Sequence, residues 1–384
     1  MSIVQSIVLL IIASSLVLCD QTCRLFDFKQ ALYDAGLQSQ LTHPHPLHIE
    51  TLDPAKCHQY NVHVQRWEYS LTRYPVGISC KCDWIMTQNA FYGTTMEPKI
   101  VFVATRALIS FVALLDTLKH PIVLITSIND ETIPVNHDTR IRMPEGFTEN
   151  PNHGLWPRIL HHPMIIHWFL ENHSQVDDPK VSTLPIMFVS KTGTTEPDEA
   201  YEELMQYYTN APLWQDRPTL LLSSDRVRDG RGQWADRAIV YKLCLNNSLC
   251  TVAYHGSHGA DQDMSEWDSD NFAVRVSNSK FLIMAHGGGL DPCPKLVHSI
   301  VLGTIPIIQS NALDDAYEQL PVVIVPSLSD FLDPAKTDEA KALLEQWGEK
   351  YSPYYEPFSQ LRADTLYKLS EEYWWNQVLK YKPP

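Results

Sequence analysis

The chain has 384 residues, a formal net charge of -15 and a 44% share of hydrophobic residues. That length is enough for two domains, and the acidic balance argues against nucleic acid as the main partner. The sequence is not repetitive, and no segment beyond the N-terminus is long and apolar enough to span a membrane. Residues 2–18 are apolar, with no Asp, Glu, Lys or Arg before Asp20. This pattern predicts a secretory signal peptide over residues 1–19, although a basic n-region is missing. The alternative is a short signal-anchor, since the run lies at the lower limit for a span. The expected location is therefore the ER or Golgi lumen, or outside the cell, with a membrane association only if the segment is retained.

Residues 20–95 read as irregular, aromatic and rich in proline and histidine. The prolines of His43-Pro44-His45-Pro46-Leu47-His48 prevent a helix that would align the imidazoles, so a solvated loop is expected rather than a metal site. From Lys99 the pattern becomes regular. Lys99–Val103 reads as a strand, Leu108–Leu118 as an apolar helix and Pro121–Ser127 as a buried strand. Asn129-Asp130-Glu131 follow that strand's C-terminal end, where open α/β sheets place ligands. Leu160–Asn172 reads as a helix and Leu184–Phe188 as a short strand, with a loop and helix over Thr192–Leu213. A second series follows: strand Thr219–Ser223, helix Gln233–Leu245, strand Thr251–His255 and a polar, aspartate-rich loop.

Phe281–Gln309 is the most informative stretch. An apolar strand ends at Ala285-His286, then Gly287, Gly288 and Gly289 turn the chain, a helix runs from Cys293 to Leu302, and Thr304–Ile308 returns as a strand. Without a Cβ, three glycines let backbone approach a ligand closely. Asp291 stands at the expected N-cap with Pro292 at the first helical position. Unpaired N–H groups at such a turn suit a phosphate, yet neither GxGxxG spacing nor a P-loop Lys-Ser/Thr is present. The bland alternative is a tight turn without a ligand. Asp314–Leu320 then reads as a helix, Val322–Val325 as a strand and Lys336–Lys380 as mainly helical. The alternation implies an α/β protein with two Rossmann-like domains facing a cleft: residues 20–205 on the acceptor side, 206–335 on the nucleotide side, and 336–384 as C-terminal helices.

The secretory route gives meaning to the sequons at Asn172 and Asn246. Removing Cys19 with the signal leaves an odd number of cysteines, and hence a thiol unpaired or bonded to another chain. Cys244 and Cys250 flank a short polar turn and form the expected disulfide, and Cys293 is the expected free thiol.

The segment LIMAHGGGLDPCPKLVHSIVLGTIPIIQSNALDDAYEQLPVVIV resembles the donor-binding segment of exostosin-type glycosyltransferases, whose relatives carry PxGxGxDxxRxWExLxxGxIPI. PIVLITSINDETIP and WFLENHSQVDDPKVSTLPIMF resemble upstream motifs of that family in the same order, so the likeness covers residues from about 100 to 330. It implies a GT-B fold that binds a nucleotide-sugar donor, a UDP-sugar being one candidate, and a glycan or glycoprotein acceptor. No cofactor and no metal is implied, since a GT-B enzyme needs no DxD triplet. Donor contacts are expected from Ser224, Arg237, His286, Gly287, Gly288, Gly289, Asp291, Lys295 and His298, with Asp130 as the general base. Lys295 and His298 stand where relatives carry arginine and glutamate, His286 replaces an arginine, and Met187 replaces a glycine. These departures motivate a second reading, a catalytically degenerate carbohydrate-binding or scaffold protein on the same fold.

Overall fold

The computed structural model describes residues 48–50, 78, 81–86, 90–93, 95, 97–127, 132–135, 154–174, 177–185, 197–224, 233–252, 269–286, 289–292 and 295–384. The predicted signal segment, the aspartate-rich loop and Asp130 lie outside them, as do Gly287, Gly288 and Cys293. No helix among the described residues is long and apolar enough to cross a membrane.

Two sheets organise the molecule. The first has seven strands in the order β1-β3-β2-β4-β5-β6-β7, with β1 His48–Glu50, β2 Trp84–Met86, β3 Ala90–Gly93, β4 Ile100–Ala104, β5 Ile122–Ser127, β6 Ile165–Leu170 and β7 Val181–Thr183. Only the β2–β3 pair is antiparallel. β4 and β5 are buried along their whole length, as continuous β-branched runs must be when helices cover both faces. Helix α1, Leu108–Leu115, and the short α2, Leu155–Leu160, pack beside them. The stretch before residue 95, expected to be irregular, contributes three strands that extend the sheet at one side.

One predicted element is overturned outright. Residues 165–170 form strand β6, not part of a helix, and among the described residues the helix before it ends at Leu160. IIHWFL is rich in β-branched and aromatic residues, and a short apolar run carries no period that separates strand from helix. A strand stands just before the next expected one, at 181–183; Leu184 and Pro185 are not in it, and residues 186–188 lie outside the described residues.

The second sheet is wholly parallel, in the order β12-β11-β10-β8-β9. Its members are β8 Thr219–Ser223, β9 Cys250–Val252, β10 Ser279–Met284, β11 Ile305–Gln309 and β12 Val323–Val325. Helices α3 Pro197–Asn210, α4 Gln233–Asn246 and α5 Ser269–Ser277 alternate with these strands, and α6 Lys295–Val301, α7 Asp314–Tyr317 and α8 Leu328–Phe331 follow. From β8 the chain steps outward to β9, then crosses back to place β10 on β8's other side and continues away. The order therefore reverses between β8 and β10, the position at which open α/β sheets form a crevice beyond their strand ends.

The C-terminal helices divide between the two cores. α9, Thr337–Tyr351, and α10, Gln360–Lys368, join the second through Leu344 and Leu366, with Tyr355 of the turn between them buried in the same core. α11, Glu371–Leu379, returns to the first, where Trp374 and Val378 are buried against its strands.

Candidate functional site

The crevice is built where β8 and β10 end. Ser224, one residue past β8, is buried, and its hydroxyl has no hydrogen-bond partner. Its carbonyl accepts from Lys295 Nζ at 2.8 Å, which brings the first residue of α6 over the end of β8. Arg237 is buried on α4 and donates through Nε to the carbonyl of His286 at 2.7 Å. His286, just past β10, lies with Nδ1 3.1 Å from the Leu290 carbonyl, which also accepts from Asn311 Nδ2. The loop after β10 is thus tied down from α4 and from the end of β11, as a preformed ligand site requires. Gly289 is buried in this loop, and His298 lies half-buried on α6 beyond Lys295.

The described part of α6 starts at Lys295, and Cys293 and Pro294 before it lie outside the described residues. Asp291 makes a reciprocal pair with Asn172: its backbone N–H donates to Asn172 Oδ1, and its carboxylate accepts from Asn172 Nδ2, both at 3.1 Å. Both residues are buried. Asn172 therefore joins the C-terminal edge of the first sheet to the loop of the second. Its sequon reading does not fit the fold, because a glycan on Nδ2 would break this buried pair. Asn246, by contrast, is exposed at the end of α4.

The facing edge holds a group that the sequence reading missed. Glu171 follows β6 and is buried, and its carboxylate accepts from the hydroxyl of Ser127, the last residue of β5. The helix expected over Leu160–Asn172 left Glu171 with no place at a sheet edge. The signal that could have found it is the rule that strand C-termini carry function in parallel sheets. Asp130 departs from this same β5 end, three residues beyond Ser127.

Cys244 and Cys250 are disulfide-bonded, with Cα atoms 5.3 Å apart, closing the turn from α4 into β9. Among the described residues the free cysteine is Cys82, buried just before β2, where burial pushes its thiol up.

The chain matches no protein-family model and no curated protein. Solved structures similar to it include CalG4, the calicheamicin glycosyltransferase, with a TM-score of 0.34 and 10% identity over 74% of this chain and 73% of that one. Another is Phytolacca americana UGT2, solved with UDP-2fluoro-glucose and pterostilbene, with a TM-score of 0.27 and 9% identity over 71% and 75%. Likeness at this level carries no functional weight, so function has to be argued from the crevice itself.

Proposed function

We propose that the protein is a glycosyltransferase of the exostosin type, moving a sugar from a nucleotide-linked donor, with UDP the first candidate, to a glycan or glycoprotein in the secretory pathway. The observation that carries this reading is the gathering of Ser224, Arg237, His286 and Lys295 at the β8/β10 switch point, in contact with the opposing sheet edge through Asn172 and Asp291. In this reading Lys295, Arg237 and the amides of the glycine turn offset the charge of the departing diphosphate, and His298 faces the ribose. Asp130 takes the proton of the acceptor hydroxyl. The Ser127–Glu171 hydrogen bond fixes the strand end from which Asp130 leaves. No metal takes part, so activity should survive chelation; loss on chelation with recovery in manganese would count against this.

Calorimetric titration of UDP, GDP and their common sugars decides the donor assignment. Saturable binding of one nucleotide, weakened at least about tenfold in Lys295→Ala, is expected. A well-folded sample that binds none of them would overturn it and leave the degenerate, non-catalytic reading.

A further inference from the structure

Beside the crevice lies a second opening. A cleft of about 550 Å³ is bounded by β7, α7 and α11, so both halves of the chain contribute to it. That volume falls within the range of small-molecule sites, roughly 300–1,000 Å³. Tyr381 lines it and is 42% exposed. One side of its ring is stacked on His167 with centroids 3.5 Å apart and planes 16° from parallel. Phe169 meets the same ring edge-on at 5.7 Å. The phenol is therefore held in place with part of its surface open, a platform for a flat apolar face.

Around this platform the groups are mostly neutral and bifunctional. Gln319 and Gln377 line the cleft, and each carboxamide has more donor and acceptor capacity than its internal bonds use. His173 also lines it, and its buried Nδ1 has no hydrogen-bond partner. Burial keeps that imidazole neutral at neutral pH, its pKa lowered to about 4. The formal charges are Asp177 and Asp315 against Lys380. A diphosphate or any other anion is disfavoured here, since two carboxylates oppose a single ammonium.

We propose that this cleft binds the acceptor as an uncharged sugar ring, its C–H face on Tyr381 and its hydroxyls on Gln319 and Gln377, while Asp177 and Asp315 exclude uronate and sulfated sugars. The assignment rests on the glycosyl-transfer reading for the word acceptor, and names the substrate class that reading leaves open.

The test is titration of the full chain with cellobiose, N-acetyllactosamine and an unsulfated chondroitin disaccharide, followed by calorimetry. A neutral disaccharide should bind at least about tenfold more tightly than the uronate. Tyr381→Ala and Gln377→Ala should each weaken that binding about tenfold, Tyr381→Phe should retain it, and Asp177→Asn with Asp315→Asn should narrow the charge preference. Preference for the uronate, saccharide binding indifferent to Tyr381→Ala and Gln377→Ala, or no saccharide binding by a sample that binds nucleotide would each overturn the proposal. Cleft-dependent saccharide binding without nucleotide binding would sustain the site and overturn the transferase reading instead.

Discussion

At the scale of single residues, the stretch after α6 shows how few side chains hold the second sheet together at the edge opposite the crevice, where β8, β10 and β11 begin. Buried Arg217 donates to the carbonyls of Ser279, Gly303 and Leu302 and to the hydroxyl of Thr304. Burial lowers its pKa only to about 10, so it remains charged at neutral pH. Arg362 donates to Ile300 and Val301 from the other side, with its guanidinium 4.4 Å from the centre of the Tyr208 ring. The two arginines satisfy carbonyls that the end of a helix leaves unpaired. Arg217→Ala should cost at least about 3 kcal/mol, because several buried acceptors lose a charged donor at once; urea unfolding measures it. Gly303 adopts a φ of +81°, and a Cβ there would stand 2.6 Å from Arg217 Nη2. Gly303→Ala should therefore also destabilise the fold, by about 1–3 kcal/mol. The Asn172–Asp291 pair gives a third expectation. Asn172→Ala should cost about 2 kcal/mol, leaving a buried carboxylate short of a donor. In material from a secretory host, peptide mapping should find glycan at Asn246 and none at Asn172. A glycan at Asn172 in folded protein would contradict the buried pair.

Among the elements, the clearest in the sequence were strands that read as apolar runs preceded by glycine or proline. Ile122–Ser127, Thr219–Ser223 and Ile305–Gln309 stand where their apolar runs placed them. The helix from Gln233 differs from its expected span by a single residue. β6 was not legible, because burial on both faces removes the alternation that distinguishes a strand. The consequence went beyond one element: with β6 misread, Glu171, Asn172 and His173 could not be placed at a sheet edge. That edge has a chemical signature. His167 Nε2 lies 2.8 Å from Ser182 Oγ, and His173 Nε2 lies 2.7 Å from Thr183 Oγ1, so both imidazoles tie β6 to β7. Burial lowers both pKa values to about 4, against smaller opposing effects from Asp178 and Asp315. The fold thus favours the neutral rings, and the unfolded chain takes up protons first as pH falls. Their contribution is complete above the ordinary histidine pKa of about 6.5 and is lost on the way down to about 4, roughly 2 kcal/mol each by pH 4.5. Thermal melts between pH 7.5 and 4.5 should show this loss, and His167→Asn with His173→Asn should flatten it. An unchanged slope in the double variant would remove the histidines from the account.

For the molecule as a whole, the two-sheet α/β plan was readable from the alternation of elements, but the path of the last helix was not. Nothing local in Tyr373-Trp374-Trp375 says which core will take it. Trp374 and Val378 are 4% and 0% exposed against the first sheet, while Tyr373 Oη hydrogen-bonds Gln319 of the second half. Trp374→Ala should cost about 3–5 kcal/mol. Removing residues 371–384 should expose the first core to dye binding while the second keeps its cooperative melt. A truncated chain with unaltered dye binding would refute this.

That returning helix also sets an order of events during synthesis. The strands of the first sheet have left the ribosome by Thr183, yet the indole that seals their core is encoded 191 positions later, at Trp374. At about 5–20 residues per second the wait is on the order of 10–40 s. Through that interval the early half carries an uncovered apolar face, the kind of surface that holdase chaperones bind. Dependence on such helpers should therefore track the speed of translation through the second half of the message rather than the first.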